Sequence, residues 1–206
     1  PLDQRERDEL CELLLELGPE KPTLCEGWTT LDLAAHLVVR EREPLASPGI
    51  LIERFAGFTE KRQEAMAAKG LEAVVAKLRT PPPFPWRVPK LRDLLNLNEY
   101  VIHHEDVRRA NGMGPRTDRP DRDEAIWGLV KGAAKLAGRR IKGAGLELVT
   151  PSGERTVAKK GSPQATLTGP PVELALYLAG RKGAAQVTLD GPAEAVAAVE
   201  AARLGV

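Results

Sequence analysis

The sequence has few of the residues on which most catalytic motifs depend. Among 206 residues there are 3 histidines, 2 cysteines and 3 serines. No serine lies in a G-x-S-x-G motif, and neither G-x-x-x-x-G-K-[ST] nor G-x-G-x-x-G occurs, which excludes the nucleophile elbow of hydrolases and the common phosphate-binding loops. Cys11 and Cys25 form neither a C-x-x-C pair nor a disulfide framework. A metal is therefore the best remaining source of chemistry.

The sequence also lacks a surplus of one charge and a long apolar run. Lys plus Arg is 30 against 29 for Asp plus Glu, whereas a nucleic-acid-binding protein usually carries a basic surplus. No apolar stretch approaches the ~20 residues that span a bilayer, and residues 1–7 lack the apolar core of a signal peptide. We therefore expect a soluble cytoplasmic protein whose partners are neither nucleic acid nor membranes.

Apolar residues at helical spacing predict four helices in residues 1–115. The predicted helices are residues 3–17, a helix that begins at Thr29 and ends before Pro44, one from about Ile50 to Leu78 interrupted at Gly70, and one from about Lys90 to Ala110. Thr29 and Asp32 form a capping-box pattern, with Thr29 as the N-cap residue. The proline-rich residues 80–89 exclude a helix between the last two. This set predicts an antiparallel four-helix bundle.

Short β-type stretches distinguish residues 116–206 from the first half. The predicted strands are 146–150, 156–158, 165–168 and 186–189, and the predicted helices are 121–140, 171–178 and 192–203. The overall prediction is an α+β chain with two domains, a helical bundle in residues 1–115 and a small α+β domain in residues 116–206.

Two of the three histidines lie in patterns that indicate a metal site. Glu99 and His103 are four residues apart and therefore lie on one helix face, and His36 lies within the apolar stretch 33–39. Carboxylate and imidazole groups that point into a core are costly unless they are paired or bind a metal. Three such ligands leave a coordination position open, which is the catalytic style of zinc site.

A metal-free alternative explains the same residues equally well. Glu99 and His103 can form a buried ion pair, with His36 as a hydrogen-bonded core histidine. His104 is expected at the surface or behind the metal ligands, with replacement of His103 as a lesser alternative.

Residues 25–37, with the sequence CEGWTTLDLAAHL, resemble the second-helix signature of the mycothiol-dependent maleylpyruvate isomerase family. That family has a DinB-like four-helix bundle with a Glu-x-x-x-His motif on its last helix, which Glu99 and His103 match. Residues 174–181 and 187–191 are similar to a helix ending in Gly-Arg and the strand that follows it in the family's sterol-carrier-like C-terminal domain.

This resemblance implies a divalent metal, usually zinc, held by His36, Glu99 and His103. It also implies that the open position takes a low-molecular-weight thiol such as mycothiol. A metal-bound thiol loses its proton well below its ordinary pKa of about 8.5 and becomes a nucleophile at neutral pH. The expected function is a thiol-using transferase or isomerase that acts on a small electrophile, as a monomer or homodimer.

Three arginines are candidates for substrate binding. Arg40 lies one turn beyond His36, but a surface ion pair within residues 40–43 is the more economical explanation. Arg87 lies in the proline-rich segment, which is either a lid or a stiff connector. Arg181 matches the Gly-Arg position of the family, although arginines near helix C-termini commonly stabilise the helix dipole.

Two non-enzymatic interpretations remain open. The first is a small-molecule or lipid-binding protein in which the metal is structural. The second is a metal-free helical bundle that acts in dimerisation. An enzyme needs an accessible open coordination position, whereas a lipid carrier needs a closed apolar tunnel.

Overall fold

A computed structural model describes residues 1–43, 56–80 and 96–205 of the chain. The chain is α+β and divides into two compact units, Pro1–Pro115 and Arg116–Val206. Within the described ranges, no helix combines the length and the apolar character needed to cross a membrane.

The first unit is helical in its described part. Its helices are α1 (Leu2–Leu17), α2 (Thr30–Arg42), α3 (Ala56–Ala67), α4 (Leu71–Arg79) and α5 (Asn98–Ala110). The predicted capping box is confirmed, because the Thr29 side chain accepts from the Asp32 backbone while the Asp32 carboxylate accepts from the Thr29 backbone. The predicted interruption at Gly70 is also confirmed, since its φ of 82° separates α3 from α4. The predicted start of the last helix near Lys90 lies outside the described residues.

One apolar core joins these helices. Helix α1 packs against α2, α4 and α5, and α2 also packs against α3 and α4. The core is built mainly from leucine and valine side chains, among them Leu10, Leu14, Leu33, Leu37, Val74 and Leu78. The finer assignment to an antiparallel four-helix bundle stays a prediction, because residues 44–55 and 81–95, which connect these helices, are not described.

A fully buried ion pair lies within this core. The Arg7 guanidinium donates two hydrogen bonds to the Glu41 carboxylate, at 2.7 and 2.8 Å, and one to the Leu78 carbonyl at 2.7 Å. The Tyr100 hydroxyl donates to the same carboxylate at 2.8 Å. This network links α1, α2, α4 and α5, so it fixes their relative register as well as satisfying buried charges.

The second unit is a mixed sheet with helices. Its elements are α6 (Pro120–Gly138), β1 (Gly145–Val149), β2 (Arg155–Lys159), β3 (Gln164–Thr168), α7 (Pro171–Leu178), β4 (Thr188–Asp190) and α8 (Ala193–Ala201). The strand order is β2-β1-β3-β4, with β1 antiparallel to β2, parallel to β3, and β3 antiparallel to β4. Helix α6 packs on β2 and α7.

Most element positions in this unit agree with the sequence prediction. Helix α7 has the predicted bounds, whereas β4 begins two residues later than predicted. The reason is local, because the Gln186 backbone N–H donates to the Glu173 carboxylate at 2.7 Å instead of joining the sheet. The sterol-carrier-like assignment of this unit stays a prediction.

Candidate metal centre

Helices α2 and α5 bring together the three predicted metal ligands. His36 lies in the middle of α2, and Glu99 and His103 lie one turn apart on α5. Each offers a ligand atom, and these atoms all lie within 4.8 Å of one another. Both histidines are buried, whereas the Glu99 side chain is 32% exposed, so the cluster is open to solvent on its carboxylate side.

The spacing of the donor atoms fits a divalent metal such as zinc. His103 Nε2 lies 3.7 Å from Glu99 Oε2, and the His36 and His103 ring centroids are 5.5 Å apart at an interplanar angle of 70°. Zinc bonds of about 2.0–2.2 Å in a tetrahedron place neighbouring ligand atoms about 3.4 Å apart. Two imidazoles and one carboxylate are also the ligand set of some catalytic zinc sites.

The outward nitrogen of each imidazole has a hydrogen-bonding neighbour. His36 Nδ1 lies 2.7 Å from Gln63 Nε2, on α3, and His103 Nδ1 lies 2.9 Å from the Asp106 carboxylate. The Trp28 ring packs against His36 with a centroid separation of 4.8 Å. With Nδ1 engaged in both cases, the nitrogen that would bind a metal is Nε2.

The electrostatics of the cluster favour a cation. Burial alone would raise the pKa of Glu99, but the hydrogen bond with His103 and the nearby Arg40 guanidinium lower that pKa to about 2. Burial alone would lower the pKa of His103, but hydrogen bonds with Asp106, Cys25 and Glu99 raise it well above its usual 6.5. The same carboxylates that stabilise a proton on His103 would stabilise a bound metal ion.

Arg40 lies in the cluster. Its Nε is 3.3 Å from Glu99 Oε2 and its Nη1 donates to Asn96 Oδ1 at 3.0 Å. The surface ion pair predicted for residues 40–43 is wrong for Glu41, which is buried with Arg7 in the core. The members of this run contact different helices, since Arg40 pairs with Glu99 on α5 and Glu43 with Arg62 on α3.

The other two predicted arginines are not brought to this cluster by the described contacts. Arg87 lies outside the described residues. Arg181 belongs to the second unit, where its Nη1 donates to the Ala179 carbonyl at 2.7 Å near the end of α7. Its proposed role toward a substrate stays a prediction.

His104 is buried, so the expectation of a surface position was wrong. Its side chain is 4% exposed and its Nδ1 lies 3.6 Å from Glu6 Oε2 on α1. Together with Glu9 these residues form a second group of possible ligands. The reason is that His104 faces Glu6 of α1 whereas His103 faces His36 of α2, so consecutive residues of α5 are buried against different helices.

The sequence prediction missed two residues behind the histidines. Asp106 follows His103 by three residues on the same helix, a spacing that gives a usable signal. Gln63 is brought in from α3 by tertiary packing, and no sequence pattern marks it. The sequence assigned no role at the site to Cys25, yet its Sγ lies 3.4 Å from Asp106 Oδ2 and 4.0 Å from His103 Nδ1.

Comparisons with known proteins agree with this architecture. No family model and no curated protein sequence matches the chain. Two solved structures match over 92% of this chain and 90% of theirs, each with a TM-score of 0.53. They are the mycothiol-dependent maleylpyruvate isomerase, 20% identical, and its histidine-to-alanine mutant, 19% identical. The resemblance that residues 25–37 indicate is thus confirmed at the level of the fold, and the chain has the fold of the mycothiol-dependent maleylpyruvate isomerase.

Proposed function

We propose that the chain is a divalent-metal-dependent enzyme, with zinc as the metal, that uses a low-molecular-weight thiol such as mycothiol. It isomerises a small electrophilic substrate or transfers the thiol to it. The observation that carries this proposal is the convergence of His36, Glu99 and His103 within 4.8 Å. The thiol is supported by the shared fold, because the two structural neighbours are named as mycothiol-dependent isomerases.

Three protein ligands leave one position of a tetrahedral site for an exogenous ligand. A bound divalent ion lowers the pKa of a coordinated thiol and so supplies a thiolate at neutral pH. A thiolate bound there would add reversibly to a carbon–carbon double bond of the substrate, and after rotation about the resulting single bond its elimination would restore the double bond and release the thiolate. His36 and His103 act as neutral ligands in this scheme, and Glu99 contributes one negative charge.

Arg40 is the first candidate for substrate binding. Its guanidinium is held by Glu99 and Asn96, and its side chain remains 20% exposed beside the cluster. A guanidinium presents a planar set of donors that matches a carboxylate, so Arg40 would orient an anionic substrate next to the metal. Arg87 and Arg181 are proposed as further substrate contacts on the sequence resemblance alone.

The competing candidate is a non-catalytic small-molecule or lipid-binding protein in which the metal is structural. The arrangement of Arg40 favours instead the fully metal-free interpretation, since this arginine already pairs with Glu99 and supplies a positive charge in the cluster. Direct tests of thiol binding and turnover separate these candidates from an enzyme.

The test uses thiol binding and turnover together. Cobalt-loaded protein titrated with mycothiol should develop near-ultraviolet thiolate-to-cobalt absorption. Zinc-loaded protein with mycothiol should convert maleylpyruvate, the first substrate to try, in a thiol-dependent way. His36→Ala should lose both signals, and Glu60→Ala, a change at an exposed position of α3, should keep both. A cobalt spectrum unaffected by thiol, or turnover that persists in His36→Ala, would contradict the proposal.

A further inference from the structure

Asp106 lies directly behind the metal-facing imidazole of His103. We infer that Asp106 is a positioning residue: its carboxylate contacts His103 Nδ1 and so orients the imidazole to bind a metal through Nε2. The Cys25 thiol in turn holds the Asp106 carboxylate. This inference rests on the proposed metal site and adds the residues that prepare one of its ligands.

The Asp106 carboxylate has two hydrogen-bonding neighbours in a fully buried position. Its side chain has no exposed surface, and Oδ2 lies 2.9 Å from His103 Nδ1 and 3.4 Å from Cys25 Sγ. The Asp106 backbone carbonyl also accepts from the Leu24 N–H at 3.2 Å. The loop between α1 and α2 is therefore attached to α5 at this residue.

The arrangement determines which nitrogen of His103 can bind a metal. A carboxylate at Nδ1 holds the proton on that nitrogen, so the nitrogen that can give up its proton to a metal is Nε2, which faces Glu99. The carboxylate also makes the imidazole a stronger ligand, and loss of such a partner typically lowers metal affinity about 10- to 100-fold. The thiol donates to the same carboxylate oxygen and limits rotation of the Asp106 side chain.

A rival arrangement uses the opposite side of the same imidazole. Cys25, His103 and Asp106 also offer ligand atoms within 4.8 Å of one another. The Nδ1–Oδ2 distance of 2.9 Å is that of a hydrogen bond and is shorter than the separation of about 3.4 Å between two ligands of one tetrahedral zinc. The geometry thus assigns Asp106 and Cys25 to support of His103 rather than to a metal of their own.

Cobalt binding to the full chain tests this assignment without an activity assay. Cobalt alone is titrated into the wild type, Asp106→Asn, Asp106→Ala and Cys25→Ser, with affinity measured by competition against a chelator. We expect affinity to fall about 10- to 100-fold in Asp106→Ala. Asp106→Asn should lie between it and the wild type, because an amide oxygen can still accept from Nδ1–H. Asp190→Asn, an exposed change in the second unit, is the matched control and should bind as the wild type does.

The cobalt absorption spectrum shows which side of the His103 imidazole binds the metal. Without added thiol, the wild type should show no thiolate-to-cobalt band, and Cys25→Ser should keep the wild-type spectrum. A band that Cys25→Ser abolishes would place the metal on the rival side and overturn the inference. The inference would also be overturned if both Asp106 variants bound cobalt with wild-type affinity while circular dichroism showed that they are folded. If the wild type itself binds no cobalt, the proposed function fails, and the positioning role fails with it.

Discussion

Cys11 is a buried thiol, and its environment controls its ionisation. The residue has no exposed surface, and burial raises the pKa of its thiol from 9.0 to about 11. Because the pKa is raised in the folded state, the neutral Cys11 thiol makes its full contribution to the free energy of unfolding below pH 9. That contribution is lost as the pH rises to 11. By linkage the loss is on the order of 3 kcal/mol.

This predicts a pH dependence that belongs to one residue. The free energy of unfolding of the wild type should fall between pH 9 and 11 more steeply than that of Cys11→Ala, as measured by urea titration at several pH values. Parallel pH profiles for the two proteins would contradict the burial of Cys11. The wild type should also yield no Cys11 adduct with iodoacetamide at neutral pH until it is unfolded.

At the residue scale, the sequence indicated the candidate ligands because histidine is rare in the chain and Glu99 and His103 lie at helical spacing. His36, Glu99 and His103 converge in the structure, although their binding of a metal stays a prediction. His104 was misjudged because its sequence environment does not show that α1 covers a second side of α5. Gln63 could not be predicted, since only tertiary packing brings α3 to His36.

At the scale of the elements, the network around the Arg7–Glu41 ion pair joins four helices of the first unit. Glu41→Gln leaves the Arg7 charge buried without its counter-ion, so we expect the free energy of unfolding to fall by roughly 3–5 kcal/mol. Urea denaturation followed by circular dichroism measures this. Glu43→Gln, which affects the exposed contact with Arg62, should change stability little. Equal effects of the two substitutions would contradict the structural role of the buried pair.

Two glycines of α6 offer a matched pair of substitutions. A Cβ on Gly138 would collide with the Ala158 backbone on β2, whereas a Cβ on Gly128 would meet no atom within 4 Å. We expect Gly138→Ala to lower the free energy of unfolding by about 1–3 kcal/mol, the usual cost of overpacking. Gly128→Ala should stabilise it by about 0.5–1 kcal/mol, because alanine favours a helix. Thermal denaturation of both variants checks this, and a neutral Gly138→Ala would refute the close packing of α6 on β2.

The elements themselves were largely predictable because their signals are local. The Thr29–Asp32 capping box specifies where α2 begins, and Gly70 lies at the break between α3 and α4, as the N-cap of α4. The start of β4 was not predictable, since the Glu173 carboxylate binds the Gln186 backbone across a separation of 13 residues. A prediction from periodicity contains no information about such a contact.

At the scale of the whole molecule, the chain combines a helical unit and an α+β unit in a known fold despite identities of only 19% and 20%. Apolar periodicity and strand patterning can specify such an architecture even when most side chains differ. Shared fold does not by itself transfer chemistry, which depends on particular side chains. The account of function therefore depends on whether this chain binds a metal through the residues that converge in it.

Metal content measured by elemental mass spectrometry is the most direct test of that claim. The full chain is purified without a histidine tag or chelator, alongside Glu99→Ala, His103→Ala and the surface control Glu60→Ala. The account predicts close to one divalent ion per chain in the wild type and the control, and loss of the ion in the other two variants. A wild type that contains no metal and does not bind added zinc would contradict the account. The cluster of His36, Glu99 and His103 would then be better described as a metal-free ion-pair network.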